Sequence, residues 1–170
     1  FTFTEEFSVL RTDLTQTRRP DIVCFVNGIP LAVIEAKRPD GQPGKGPTVE
    51  AGISQTLRNQ AKDEIPQLFA YSQLLLSITG HSGRYGTCRT PKKFWASWKE
   101  EDISERQIEA LKNTPLSIAQ KDTLFTDRKT PDRVWFEDWA SRPLAVTDQD
   151  RLLIGLLSPT RLLEMTRLFT

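Results

Sequence analysis

The 170-residue chain is short of the residues that build several common kinds of site. It has two cysteines, Cys24 and Cys88, too few for a disulfide framework. Cys24 falls inside the apolar run Ile22–Val26, where a reduced thiol packs as a small hydrophobe, so a reducing, cytoplasmic compartment is expected. The one histidine, His81, sits in a glycine-flanked turn and is expected to be exposed and inert; no Cys/His spacing suits zinc. Ile22–Val26 is five residues long, far below the roughly 20 that a transmembrane helix needs. An excess of one charge is also missing, since 23 Lys and Arg offset 22 Asp and Glu. That balance excludes a histone-like polycation but leaves room for basic groups gathered locally. There is no internal repeat and no low-complexity tract. The chain opens Phe1-Thr2-Phe3, with no initiator Met and no signal-peptide pattern, and is read as a piece of a longer protein.

What is present is a globular composition, 38% hydrophobic and 26% charged, with enough chain for one sizeable core. Residues 1–10 alternate apolar and polar side chains, as a half-buried strand does. Ile22–Val26 and residues 31–34 are apolar on both faces and are joined through Asn27-Gly28, a strong signal for a hairpin inside a covered sheet. Residues 38–47 hold three glycines and three prolines and read as a loop. The spacing predicts a helix over 48–62, a helical piece over 65–71, and strands over 73–78 and 84–88 about a glycine turn. Amphipathic helices are expected over 103–111 and 148–157, and Ser158-Pro159 opens a last helix. The order predicts an α/β (α+β) fold, a mixed sheet flanked by helices.

Charged residues punctuate the open end of this apolar hairpin. Asp21 starts its first arm and Glu35-Ala36-Lys37 ends its second. Residues two apart on a strand share a face, so Glu35 and Lys37 point the same way. Two carboxylates and an ammonium at such a place are costly unless they pair or bind a cation. Two hard oxygen donors with room for waters suit Mg²⁺, and a neighbouring lysine can orient or help deprotonate a water. The same three residues also suit a structural ion cluster, and both readings stand at this point. Register discriminates between them. If Asn27-Gly28 alone set the pairing, Asp21 would face Ile34 and Glu35 would lie on the other face. A shared site therefore predicts an odd-length loop or a β-bulge in the hairpin.

Pro20-Asp21, thirteen intervening residues, then Glu35-Ala36-Lys37 has the form of the PD-(D/E)xK nuclease motif. With residues 19–23, 27–30 and 34–39, and then Ile65-Pro66-Gln67-Leu68-Phe69, Gly86-Thr87, residues 94–99, Leu162-Leu163 and Phe169, the chain resembles the N-terminal nuclease domain of type I restriction enzyme R subunits. The resemblance implies a restriction-endonuclease-like core over 1–145, with 146–170 a helical extension leading towards motor domains. It implies that Asp21 and Glu35 bind Mg²⁺ and that Lys37 completes the catalytic set. The family carries a QxxxY motif after the lysine; Gln55 matches it, and Asn59 stands where Tyr is expected. Gln55, Asn59, Arg38 and Lys45 are the candidates for contact with double-stranded DNA. Glu5 and Glu6, in a strand-like stretch, are not carried over as the upstream acid of the wider class. The implied partners are methyltransferase and specificity subunits, and ATP belongs to the motor domains alone.

Two other functions compete with this one: a catalytically silent nuclease fold that binds DNA or docks subunits, and a PD-(D/E)xK nuclease from another defence or repair system. Gly44-Lys45-Gly46-Pro47-Thr48 lacks the GxxxxGK[ST] spacing, so no nucleotide site is expected here, and Mg²⁺ is the one cofactor expected in this stretch. Trp95, Trp98, Trp135 and Trp139 are expected to pack in cores or between domains. Arg18-Arg19 and Lys92-Lys93 are read as surface pairs that can face DNA.

Overall fold

The structure, a computed structural model, describes residues 1–38, 48–99, 103–126 and 130–168. The chain divides into two compact units, residues 1–100 with 147–170, and residues 101–146.

The first unit holds the strands β1 (Thr2–Glu5), β2 (Val9–Leu10), β3 (Thr17–Arg18), β4 (Ile22–Val26), β5 (Ile29–Lys37), β6 (Leu74–Thr79) and β7 (Gly83–Gly86). Five of them form a mixed sheet in the order β1-β4-β5-β6-β7, and β2 pairs with β3 separately. The pair β5·β6 is parallel and the other pairs of the large sheet are antiparallel. Parallel neighbours need a crossover, which the helix α1 (Val49–Asn59) supplies. Thr48 caps α1, its hydroxyl accepting from the Ala51 N–H at 3.3 Å. The expected hairpin is β4–β5, and β5 is the central strand.

The single strand expected over residues 1–10 is two short ones. Glu6 turns into the left-handed region (φ 48°) and donates its N–H to the Asp21 carbonyl at 2.8 Å, which stops β1 and redirects the chain. Val9-Leu10 then pairs with Thr17-Arg18. That small hairpin is held by Arg18, whose guanidinium donates twice to Glu64, at 2.6 and 2.8 Å. Arg18 is thus spent on an internal carboxylate, whereas Arg19 is exposed and lies 3.4 Å from Glu6.

Each face of the sheet buries a different set of side chains. Val23, Val33 and Leu75 meet α1 through Val49 and Ile53, with Ile65, Leu68, Phe69 and Trp95. Ala32, Ile34, Leu74, Leu76 and Ile78 meet Leu152 and Leu156 of α5 (Asp148–Leu157) and Leu162 of α6 (Pro159–Leu168). The stretch read from sequence as an extension therefore closes the second face of the sheet. No helix among the described residues is long and apolar enough to cross a membrane.

The second unit holds α2 (Glu105–Lys112), α3 (Ile118–Leu124) and α4 (Thr130–Trp139). Ser104 with Gln107 and Ser117 with Gln120 form capping boxes that start the first two. Phe125 and Phe136 pack at 5.4 Å between centroids, and Arg133 bridges Asp122 and Glu137. Trp135 and Trp139 stack on each other at 6.1 Å on an exposed stretch of α4 instead of entering the core of their unit.

Candidate active site

The site begins with the β4–β5 turn. Asn27 (φ 49°) and Gly28 (φ 80°) both occupy the left-handed region, as a two-residue hairpin turn with the right twist requires. That turn pairs Val26 with Ile29 and Phe25 with Pro30. The register then shifts: Cys24 pairs with Ala32, Val23 with Val33 and Ile22 with Ile34, leaving Leu31 as an extra residue on β5. The bulge is the device the shared site called for. It turns Leu31 towards the α5/α6 side and brings Asp21 opposite Glu35 on the α1 side.

Around this point four side chains converge. Asp21 caps the end of β5, its Oδ2 accepting from the Ala36 N–H at 2.7 Å. Glu35 is buried (1% exposed), and its Oε1 accepts from Lys37 Nζ. Lys37 Nζ also donates to Gln55 Oε1 at 3.0 Å, so α1 reaches across to the strand. Burial pushes the Glu35 carboxyl up to about 7, and the Asp21 carboxylate adds to the rise, against the opposing hydrogen bond and charge of Lys37. Among the described residues no group of three His, Cys, Asp or Glu gathers, so the side-chain donors available to a cation here are Asp21 and Glu35. Two carboxyls match the preference of Mg²⁺ for hard oxygen donors, of which it needs few because it keeps much of its water shell.

Not every candidate joins this cluster. Asn59 lies one turn beyond Gln55, is 3% exposed, and accepts from Arg58 Nη2 at 3.4 Å. Arg38 follows β5 directly and is exposed. Lys45 lies outside the described residues.

Two further residues shape the site. Ser77, paired with Glu35 across β5·β6, donates its hydroxyl to the Val49 carbonyl at 2.8 Å and so ties the start of α1 to the sheet. Gly52 sits above it, where a Cβ would come within 2.2 Å of Ser77 Oγ and 3.4 Å of Glu35 Cγ. Only glycine lets α1 approach so closely. A glycine in mid-helix and a serine in an apolar strand were the signals available in the sequence.

The central β5, the parallel β6 and the crossing α1 define a restriction-endonuclease-like α/β fold. The chain belongs to the family described as type I restriction enzyme R protein N terminus, whose model matches residues 1–94. Over 154 residues it is 28% identical to the type I restriction enzyme HindI endonuclease subunit of Haemophilus influenzae, covering 89% of this chain and 11% of that protein. Over 101 residues it is 31% identical to the putative type I restriction enzyme MjaIXP endonuclease subunit of Methanocaldococcus jannaschii, covering 57% of this chain and 9% of that protein. The matched stretch is thus about a tenth of the length of these relatives. No solved structure matches the chain.

Proposed function

We propose that this chain is a Mg²⁺-dependent DNA endonuclease domain, hydrolysing phosphodiesters of double-stranded DNA with Asp21, Glu35 and Lys37. The observation that carries the reading is the bulge-shifted register, which sets both carboxyls and Lys37 on the face of the sheet that meets α1, where Lys37 reaches Gln55. An ion cluster built only for stability would not need a carboxyl whose proton affinity is raised by burial and further by a second carboxyl beside it. Asp21 and Glu35 would hold the metal, which supplies charge stabilisation at the phosphate and a more acidic water. Lys37 commits two of its three N–H donors to Glu35 and Gln55. The third is left to orient the attacking water or the phosphate oxygen. Gln55 fixes the lysine, and Arg38 and Lys45 would contact phosphates.

In the longer protein this activity would belong to a cytoplasmic type I restriction–modification complex, with methyltransferase and specificity subunits and ATP-driven motor domains. The test is calorimetric titration of Mg²⁺ or Mn²⁺ into wild type, Asp21→Ala and Glu35→Ala, with plasmid cleavage measured in the reconstituted complex. Metal binding by wild type that both substitutions abolish is the expected result. Identical titrations for all three proteins would move a silent docking module to the front.

A further inference from the structure

Beside the candidate site lies a group of cations that the Asp21–Glu35–Lys37 chemistry does not use. The segment after β7 runs along the outer side of α1 and is pinned to it at two points. The Arg89 N–H, on a residue held at φ 64°, donates to Gln60 Oε1 at 2.7 Å just past the end of the helix. Lys92 Nζ donates to Ser54 Oγ at 3.0 Å near its middle. Ser54 and Arg58 are exposed one turn apart on the same stripe of α1, next to Gln55. Lys93, with its ammonium 4.8 Å from the Phe94 ring, and Arg84 of β7 are exposed as well. Glu50, at the start of α1, is the acid beside Arg84 and Lys92; its carboxyl is held low by its own backbone N–H and Thr48 first, and by these two cations after.

Arg58, Arg84, Arg89, Lys92 and Lys93 thus collect around one helix in a chain whose net charge is only +1. All five are exposed, although Arg84 also donates to the Trp95 carbonyl at 3.3 Å and Arg58 to Asn59 Oδ1 at 3.4 Å, and the lysine anchored on Ser54 is held by a neutral hydroxyl that a phosphate oxygen can outcompete. Such local concentration attracts a polyanion where the net charge would not. The helix is eleven residues long, about 16 Å, which covers on the order of five base-pair steps along the axis of a duplex at 3.4 Å each.

We infer that the outer face of α1, with Arg58, Arg84, Arg89, Lys92 and Lys93, is a sequence-independent track for the phosphate backbone of a DNA strand, which leads that strand to Lys37 and Gln55. The inference rests on the nuclease reading and names the surface that reading leaves unassigned. An acidic protein segment would satisfy the same charges, but the track ends beside Gln55, whose amide touches the lysine of the candidate site, and this favours the strand to be cut.

The test separates binding from hydrolysis. Anisotropy of a short labelled duplex is followed in EDTA at stepped salt for the 170-residue chain, for Lys92→Ala/Lys93→Ala, for Arg58→Ala/Arg84→Ala, and for Arg142→Ala as a control for lost charge. Each double substitution is expected to weaken binding to unrelated sequences alike. Each should also lower the slope of log K against log salt by about 2, one for each phosphate contact removed. Arg142→Ala should bind as wild type does. The five side chains are exposed, so each variant should still melt cooperatively, which reports that it is folded, with Arg58→Ala/Arg84→Ala melting slightly lower for the loss of its bonds to Asn59 and the Trp95 carbonyl. Unchanged slopes in both doubles overturn the track, as does failure of the wild-type chain to bind DNA at low salt or a stronger preference for polyglutamate. Asp21→Ala and Glu35→Ala should keep full binding in EDTA, so a failed metal site and a failed track give different results.

Discussion

The two faces of the central sheet are built from alternate residues of the same strands, yet they do different things. Towards α5 and α6, β5 and β6 present Ala32, Ile34, Leu74, Leu76 and Ile78, and the helices answer with Leu152, Leu156 and Leu162. Towards α1 they present Val33, Leu75, Glu35, Ser77 and Lys37, and the helix answers with Val49, Gly52, Ile53 and Gln55. One face is wholly apolar, so its contribution is area removed from water. The other starts apolar and turns polar towards the ends of β5 and β6, where every buried polar group has a partner. Among the described residues no buried side-chain N or O lacks one. The apolar face makes the sheet rigid enough for the polar face to hold a costly group such as Glu35 in place.

Substitutions on the two faces should therefore fail in opposite ways. The largest effect is expected at Lys37→Ala, which removes the group proposed to aim at the water. Cleavage by the reconstituted complex should drop roughly 10²–10⁴-fold, while metal titration above the range where Glu35 ionises still gives a bound cation. Loss of both together would mean that Lys37 serves only to hold Glu35. Leu156→Ala on the other face should cost about 2–5 kcal/mol of stability, since the residue is fully buried under the sheet. Denaturant unfolding should show the loss, with metal affinity of the folded fraction unchanged. A variant that loses metal binding before stability would erase the division between the faces.

The polar face should also be sensitive to pH. Glu35 has its carboxyl raised from an ordinary 4.5 to about 7 in the folded chain. Between those values the folded state holds a proton that the unfolded state has released. In EDTA, stability should therefore fall as pH rises from about 4.5 to about 7 and then level off, by at most about 1.4 kcal/mol per pH unit. In the proposed site a divalent cation would compete with that proton, so metal affinity should climb over the same interval. Denaturation midpoints across pH, for wild type and Glu35→Gln, check this: the glutamine variant should lose the slope.

Much of this face could be read in advance. Asn27-Gly28 announced the hairpin, and the need to bring Asp21 opposite Glu35 announced an odd-length loop or a bulge, because with a period of two only a one-residue shift moves a side chain across a strand; the structure uses the bulge. The tie from Lys37 to Gln55 was not foreseen, although both residues were, since it depends on how closely α1 approaches β5. The break at Glu6 escaped notice because a non-glycine residue with positive φ leaves no trace in composition. α3 and α4 were missed for another reason: Phe125 and Phe136 pack against each other across two short helices, so neither segment shows a long apolar period of its own.

The smallest effects are expected where the two faces meet the question of fit. Ser77→Ala removes one buried hydrogen bond to the Val49 carbonyl and should cost about 1 kcal/mol. Gly52→Ala drives a methyl to within 2.2 Å of Ser77 Oγ, an overpacking worth about 1–3 kcal/mol, and should lift α1 so that Gln55 leaves Lys37. If the two residues act as one contact, the hydroxyl lost in Ser77→Ala opens the space the new methyl needs, leaving a Cβ approach of 3.3 Å. The double variant should then be more stable than the sum of the single losses predicts, with a coupling of about 0.5–3 kcal/mol. Additive losses would mean that α1 is placed by its apolar stripe alone. The Gly52–Ser77 contact would then be a consequence of the helix position and not its cause.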